Sequence, residues 1–136
     1  MAVTFSIDED PKTVESLIEG IKGFNRQFVD SPPLQKFNVA LRDDAGAVIG
    51  GVAATLSAGS MYLEVVWNGD AVRGQGHGRK MIQMIEDEGK KRGALDSWLY
   101  TMSFQAQPFY EKLGYKVYGE VPFPGGHKRI IMWKAL

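Results

Sequence analysis

The stretch Arg73-Gly74-Gln75-Gly76-His77-Gly78 sets three glycines at alternate positions directly ahead of an amphipathic run. Glycine loses more conformational freedom on folding than any other residue, so a cluster of this kind needs a local reason. The first N–H groups of a helix have no partner within it, and the helix dipole concentrates partial positive charge there. Glycines allow an anion to come close to those groups. In the run that follows, Met81, Ile82, Ile85 and Gly89 fall on one side. Arg79, Lys80, Glu86, Asp87, Lys90 and Lys91 lie largely on the other. The pattern predicts a helix that starts at Gly76 to Gly78 and runs to about Arg92, with Arg73 at the loop entrance as a forked cation. The competing reading is a tight glycine turn that binds nothing.

Around this feature the periodicity alternates between strand and helix. Residues 3–7 alternate as a short strand. Asp8 to Asp10 and Pro11 supply cap and first-turn chemistry for a helix carrying Val14, Leu17, Ile18 and Ile21 on one face, weakened toward its end by Gly20 and Gly23. Strands are predicted at 36–42, 48–56 and 61–67, the first two joined by Asp43-Asp44-Ala45-Gly46 as an antiparallel hairpin. After the glycine loop and its helix come a strand at 97–102, a helix at 106–113, and strands at 114–121 and 128–134. This is an α/β chain with a mixed sheet, read as one domain over residues 1–136.

Composition narrows the partners. Sixteen basic residues balance sixteen acidic ones, which argues against nucleic acid. No apolar run reaches the roughly 20 residues that a membrane span requires. The first residues lack the basic-then-apolar pattern of a secretory signal, so a cytoplasmic location is the default expectation. Without cysteine there is no thiol nucleophile and no zinc-thiolate site, and two distant histidines give no metal site.

Three nucleotide-binding loops resemble the glycine stretch. The phosphate loop of nucleoside triphosphatases requires Gly-Lys-Ser/Thr, which the chain lacks. The dinucleotide fingerprint fails by one position, because Arg79 stands where its third glycine would be. The pyrophosphate loop of coenzyme A acetyltransferases, [R/Q]-x-x-G-x-[G/A], is satisfied in full by residues 73–78. About 30 residues on, Ala106-Gln107-Pro108-Phe109-Tyr110-Glu111-Lys112-Leu113-Gly114-Tyr115 looks like the helix-to-strand signature of the same proteins. On these two motifs the chain resembles the GNAT superfamily of N-acetyltransferases, over nearly its whole length.

The resemblance implies a mostly antiparallel, splayed sheet flanked by helices. Its element order is strand, two helices, three strands, helix, strand, helix and two strands. It implies acetyl-CoA as donor and a primary amine of a small molecule or peptide as acceptor. The coenzyme would lie against Val66, Trp67 and Asn68, with its pyrophosphate on the N–H groups of Gly74, Gln75, Gly76, His77, Gly78 and Arg79, beside Arg73. Many members carry an asparagine where this chain has Ser103, and an apolar residue where it has Asn68. Tyr110 matches the tyrosine that faces the coenzyme sulfur and protonates the leaving thiolate.

A lysine-like amine, with a pKa near ~10.4, must lose a proton before it attacks. Glu64 is the expected base, on a strand whose alternation puts Tyr62, Glu64 and Val66 on one face and Leu63, Val65 and Trp67 on the other. A solvated carboxylate is the plain alternative for Glu64, and a packed aromatic is the plain alternative for Tyr110. Asn25 and His127 are expected near the acceptor, and the loop around Phe24, Asn25 and Arg26, with Phe123, would wall its pocket. Trp67, Trp98 and Trp133 are read as core or interface packing. Open sheet edges make a homodimer an expected partner. The other function that fits is a non-catalytic acyl-CoA-binding regulatory module.

Overall fold

The computed structural model describes residues 1–30 and 32–136. The chain divides into two compact units, Met1–Pro32 and Pro33–Leu136. In the first, helix α1 (Pro11–Asn25) starts as its sequence requires: the Asp10 side chain accepts from the Lys12 N–H at 2.9 Å and Pro11 occupies the first turn. Gly20 and Gly23 do not stop it. Residues 3–7 form no strand, against expectation. Alternation becomes a strand only where a ladder exists, and among the described residues this unit offers one helix and no second strand. The second helix implied by the resemblance is also absent among the described residues. The Asn25 carbonyl instead accepts from Phe28 and Val29, closing a turn.

The larger unit is built on strands β1 (Gln35–Arg42), β2 (Val48–Ser57), β3 (Ser60–Asn68), β4 (Asp96–Met102), β5 (Lys116–Phe123) and β6 (His127–Ala135). They form one sheet in the order β1-β2-β3-β4-β6-β5. Two tight turns fix its first registers. Asp43 accepts from the N–H groups of Ala45 and Ala47 ahead of β2, and Ala58-Gly59, both with positive φ, joins β2 to β3. Every neighbouring pair is antiparallel except β3 and β4, which are parallel. A parallel pair needs a crossover, and helix α2 (His77–Lys91) provides it. The short helix α3 (Gln107–Lys112) follows β4.

The core lies between α2 and one face of the sheet. Met81, Ile82 and Ile85 are buried there against Val52, Leu56, Met61 and Leu63 of β2 and β3, and against Leu99, Ile130 and Met132. Gly89 lets the helix approach closely, since a Cβ there would stand 2.7 Å from the Met61 sulfur. Gly93, with φ near 94°, ends the helix, and the Ala94 N–H returns to the Gly89 carbonyl at 2.8 Å. The opposite face is covered by no helix of this unit. None of the three tryptophans belongs to the buried core. Trp98 stacks on Tyr62 at 4.2 Å, Trp133 packs beside Tyr118, and Trp67 is half exposed.

One buried polar cluster ties α2 to the sheet. Glu86, 3% exposed, accepts from the Tyr115 hydroxyl at 2.9 Å and from Lys134 Nζ at 2.9 Å, and the Tyr115 oxygen also meets Ser97 Oγ at 2.8 Å. A buried carboxylate is tolerated only when it is paired and hydrogen-bonded. Tyr115→Phe should lower unfolding free energy by about 1–3 kcal/mol, and Glu86→Ala by about 3 kcal/mol or more, because each strands a buried partner. Urea unfolding should show both as midpoint shifts with an unchanged slope.

Candidate active site

β3 and β4 pair over only three positions: Ser60 with Asp96, Met61 with Ser97, and Tyr62 with Trp98. Beyond the Tyr62–Trp98 stack they part, and a cleft of about 850 Å³ opens between them. Its walls come from β3 (Leu63 to Asn68), β4 (Leu99 to Met102), the loop after β4, and α3. Main-chain groups of β3 beyond Tyr62 that face β4 have no strand to bond, and they need partners. At the mouth, Asn68 Oδ1 is buried with no hydrogen-bond partner. An orphaned acceptor of this kind calls for a ligand donor.

A β-bulge in the pairing of β2 with β3, between Ala53 and Ala54, changes which residues face where. Val65 pairs with Ala53 and Leu63 with Ala54, so Glu64 is the inserted residue. Strict alternation therefore fails. Leu63 is buried and Val66 packs against the core, while Tyr62, Glu64, Val65 and Trp67 look to the face away from α2. Glu64 accepts a hydrogen bond from the Thr55 hydroxyl.

Gly74 and Gly76 adopt positive φ, 76° and 80°, with open space where a Cβ would stand. Gly76 is the N-cap of α2 and has no side-chain cap, so the leading amides of the helix are unsatisfied, as the glycine spacing predicts. Gly78 is required for a different reason, since a Cβ there would press on the Phe109 ring at 3.1 Å. Arg73 is held in place. Its Nε donates to the Asn68 carbonyl at 2.9 Å, and Nη1 pairs with Asp70 at 2.8 Å. It thus ties the loop to the end of β3. His77 Nε2 lies 3.2 Å from Gln75 Oε1. These groups fit a diphosphate: free amides at a helix start, no side-chain obstruction, and cationic residues beside them.

Tyr110 lines the cleft from α3 and is 6% exposed, and burial pushes its pKa up to about 12. Ser103 does not line the cleft. Its Oγ accepts from the Lys128 N–H at 2.9 Å and its N–H donates to the Lys128 carbonyl, so it clamps the end of β4 to β6. Gln105, which sequence reasoning missed, does line it, and Gln105 Oε1 accepts from the Met102 N–H at 2.8 Å. Phe104 and Tyr100 are further wall residues with no local sequence signal. His127 begins β6 and meets the Phe104 ring edge-on at 4.7 Å. Asn25 ends α1 in the first unit, whereas the cleft is built wholly from the larger one.

Residues 4–115 match the model of the acetyltransferase (GNAT) family. The chain is 26% identical over 125 residues to the acetyltransferase Atu2258 of Agrobacterium fabrum, covering 91% of this chain and 90% of that one. It is 24% identical over 110 residues to the blasticidin-S acetyltransferase of Streptomyces morookaense, covering 79% and 81%. Among solved structures, an acetyltransferase from Bacillus cereus superposes with a TM-score of 0.87 at 26% identity, over 98% of each chain.

Tyr110 and Tyr115 both have pKa values raised by burial, so each keeps its proton where a free tyrosine, near 10, loses it. Unfolded chains ionise first, so stability is intact below pH 10 and falls as pH rises toward 12. Each phenol should remove about 1.4 kcal/mol per pH unit over that window. Urea unfolding between pH 9 and 11.5 should show a steep decline in the parent chain and a flatter one in Tyr110→Phe.

Proposed function

The chain belongs to the GNAT family of acetyltransferases, and from that premise we propose that it transfers the acetyl group of acetyl-CoA to a primary amine of a small molecule or peptide. The observation that carries the reading is the cleft itself. It opens where β3 and β4 part, has the unsatisfied amides of α2 at one end, and has Tyr110 in its wall. The coenzyme diphosphate would sit on the N–H groups of residues 74–79. Its pantetheine arm would bond the unpaired main chain of residues 66–68 and meet the orphaned Asn68 Oδ1. Arg73 positions the loop through Asn68 and Asp70.

Acetyl-CoA supplies an activated carbonyl. The chain's residues have three tasks: taking a proton from the amine, holding the developing oxyanion, and protonating the departing sulfur. Glu64, on the face away from α2 at the cleft wall, is the proposed proton acceptor, directly or through water. Main-chain N–H groups at Val66 or Trp67 would hold the oxyanion. As the new C–N bond forms and the C–S bond breaks, the Tyr110 phenol gives its proton to the thiolate. The phenol is protonated at neutral pH, and burial keeps it so. The products are one N-acetyl amide and one free thiol. A cleft that contains a protonated donor favours catalysis over a purely regulatory acyl-CoA module. A relative named for a small-molecule acceptor, blasticidin S, supports a small substrate.

Purified protein should bind coenzyme A in a calorimetric titration and release thiol from acetyl-CoA with at least one member of an amine panel. No heat of binding at millimolar coenzyme would overturn the proposal. Tyr110→Phe should cut kcat by about 10-fold or more while coenzyme affinity stays within about threefold. Normal turnover in that variant would remove Tyr110 from the mechanism.

A further inference from the structure

On the sheet face away from α2, one cation has no ion-pair partner among the described residues. Arg129 lies on β6, opposite Met102 of β4 and Val121 of β5. None of the ion pairs among the described residues includes it. Its Nε is buried without a hydrogen-bond partner. The guanidinium is nevertheless held in position, with its carbon 5.3 Å from the centre of the Tyr100 ring and 5.6 Å from that of Phe123. Aromatic faces steady a cation but do not satisfy its N–H donors. A guanidinium held in this way, with no ion pair of its own, suits a planar anion that can accept two parallel hydrogen bonds.

The surroundings say which molecule brings that anion. Tyr100 lines the cleft as well as bracing Arg129, so the cation borders the space that leads to Tyr110. Across the same face stands Glu64. The Tyr62 hydroxyl lies within the electrostatic reach of both charges. Burial chiefly raises its pKa, Tyr100 and Glu64 raise it further, and Arg129 lowers it. Glu64 and Tyr100 both line the cleft and Arg129 lies against the Tyr100 ring, so one anion and one cation border the same space. We propose that Arg129 is a specificity-determining residue for the acceptor, binding the carboxylate of a small molecule that also carries the reacting amine, as an amino acid does. The amine then points to Glu64 and the cleft. The assignment rests on the acetyl-transfer reading above, although carboxylate binding by Arg129 can be measured without turnover.

The test compares matched acceptors that differ only at the carboxyl group: amino acids, their carboxamides and the corresponding simple amines. In the parent chain, kcat/KM for the acid should exceed that for the amide by about 10- to 100-fold, the range expected for a charge-assisted hydrogen-bond pair. Arg129→Gln should narrow this ratio to within about threefold, by raising KM for the acid with little change in kcat. Arg129→Lys should retain part of the preference, and a thermal melt of each variant checks folding. A parent enzyme that treats acid and amide alike would overturn the proposal. So would an Arg129→Gln variant that leaves the ratio intact. A second arm separates the two readings: titration of the full chain with an N-acetyl amino acid and with its amide, followed by tryptophan fluorescence. If no amine is acetylated, acetyl transfer fails, and the titration still decides Arg129. Acid-dependent binding that is lost in Arg129→Gln supports the site, and equal or absent binding of the two compounds refutes it.

Discussion

Three rungs of parallel pairing between β3 and β4 set the conditions for the rest of the larger unit. Because the pair is parallel, the chain must cross over, and the crossover is α2. Because the pairing stops at the Tyr62–Trp98 stack, the remaining main chain of β3 faces β4 across open space. Backbone groups without a strand partner must bond water or a ligand, so the gap is a place where a ligand can complete the ladder. The start of α2 adds a second set of unsatisfied groups near the end of the same strand. Two deficits of hydrogen bonding, one from a sheet and one from a helix, thus meet in one cleft.

The same helix is treated oppositely at its two ends. Toward its C-terminus, Glu86 binds Tyr115 and Lys134, Gly89 lies against Met61, and Arg92 covers the Phe37 ring at 4.1 Å. Arg92 also pairs there with Glu88 at 2.9 Å. At its N-terminus the cap residue is a glycine with no side chain to offer. The buried ion pair adds little net stability compared with an apolar contact of the same size. Its geometry is directional, however, and it links α2 to β4, β6 and the start of β5. A helix fixed at one end can present unsatisfied amides at the other without swinging away to satisfy them.

What the sequence disclosed and what it hid differ in range. The glycine loop, the stripe on α2, the Asp10 cap and both β-turns are local signals, because a few neighbouring residues determine them. The β-bulge opposite Ala53 and Ala54 is not local. Val65 and Val66 are both apolar, so the sequence of β3 accepts either phase, and only the register against β2 decides it. That one inserted residue moved Val66 to the core face and put Val65 beside Glu64. The surroundings of Ser103 are hidden for a related reason, since its hydrogen-bond partner is Lys128, 25 residues away. Residues 3–7 show the converse error, a strand pattern without a ladder. The Tyr110 assignment came from resemblance to a family; periodicity alone gives a packed aromatic.

The two ends of the cleft rest on different kinds of recognition. On the proposed donor side the chain offers backbone amides, which bind phosphate oxygens whatever the neighbouring side chains are, provided glycine leaves room. A short motif can therefore specify that side. On the proposed acceptor side the chain offers Glu64, Tyr62, Tyr100 and Arg129, drawn from three strands and brought together only by the sheet. Nothing in their spacing marks them as a group. Among them Arg129 has no ion pair among the described residues and is braced by two aromatic rings. The proposed donor site is thus legible from a pattern of glycines, whereas the proposed acceptor site emerges only from which side chains the sheet brings to one face.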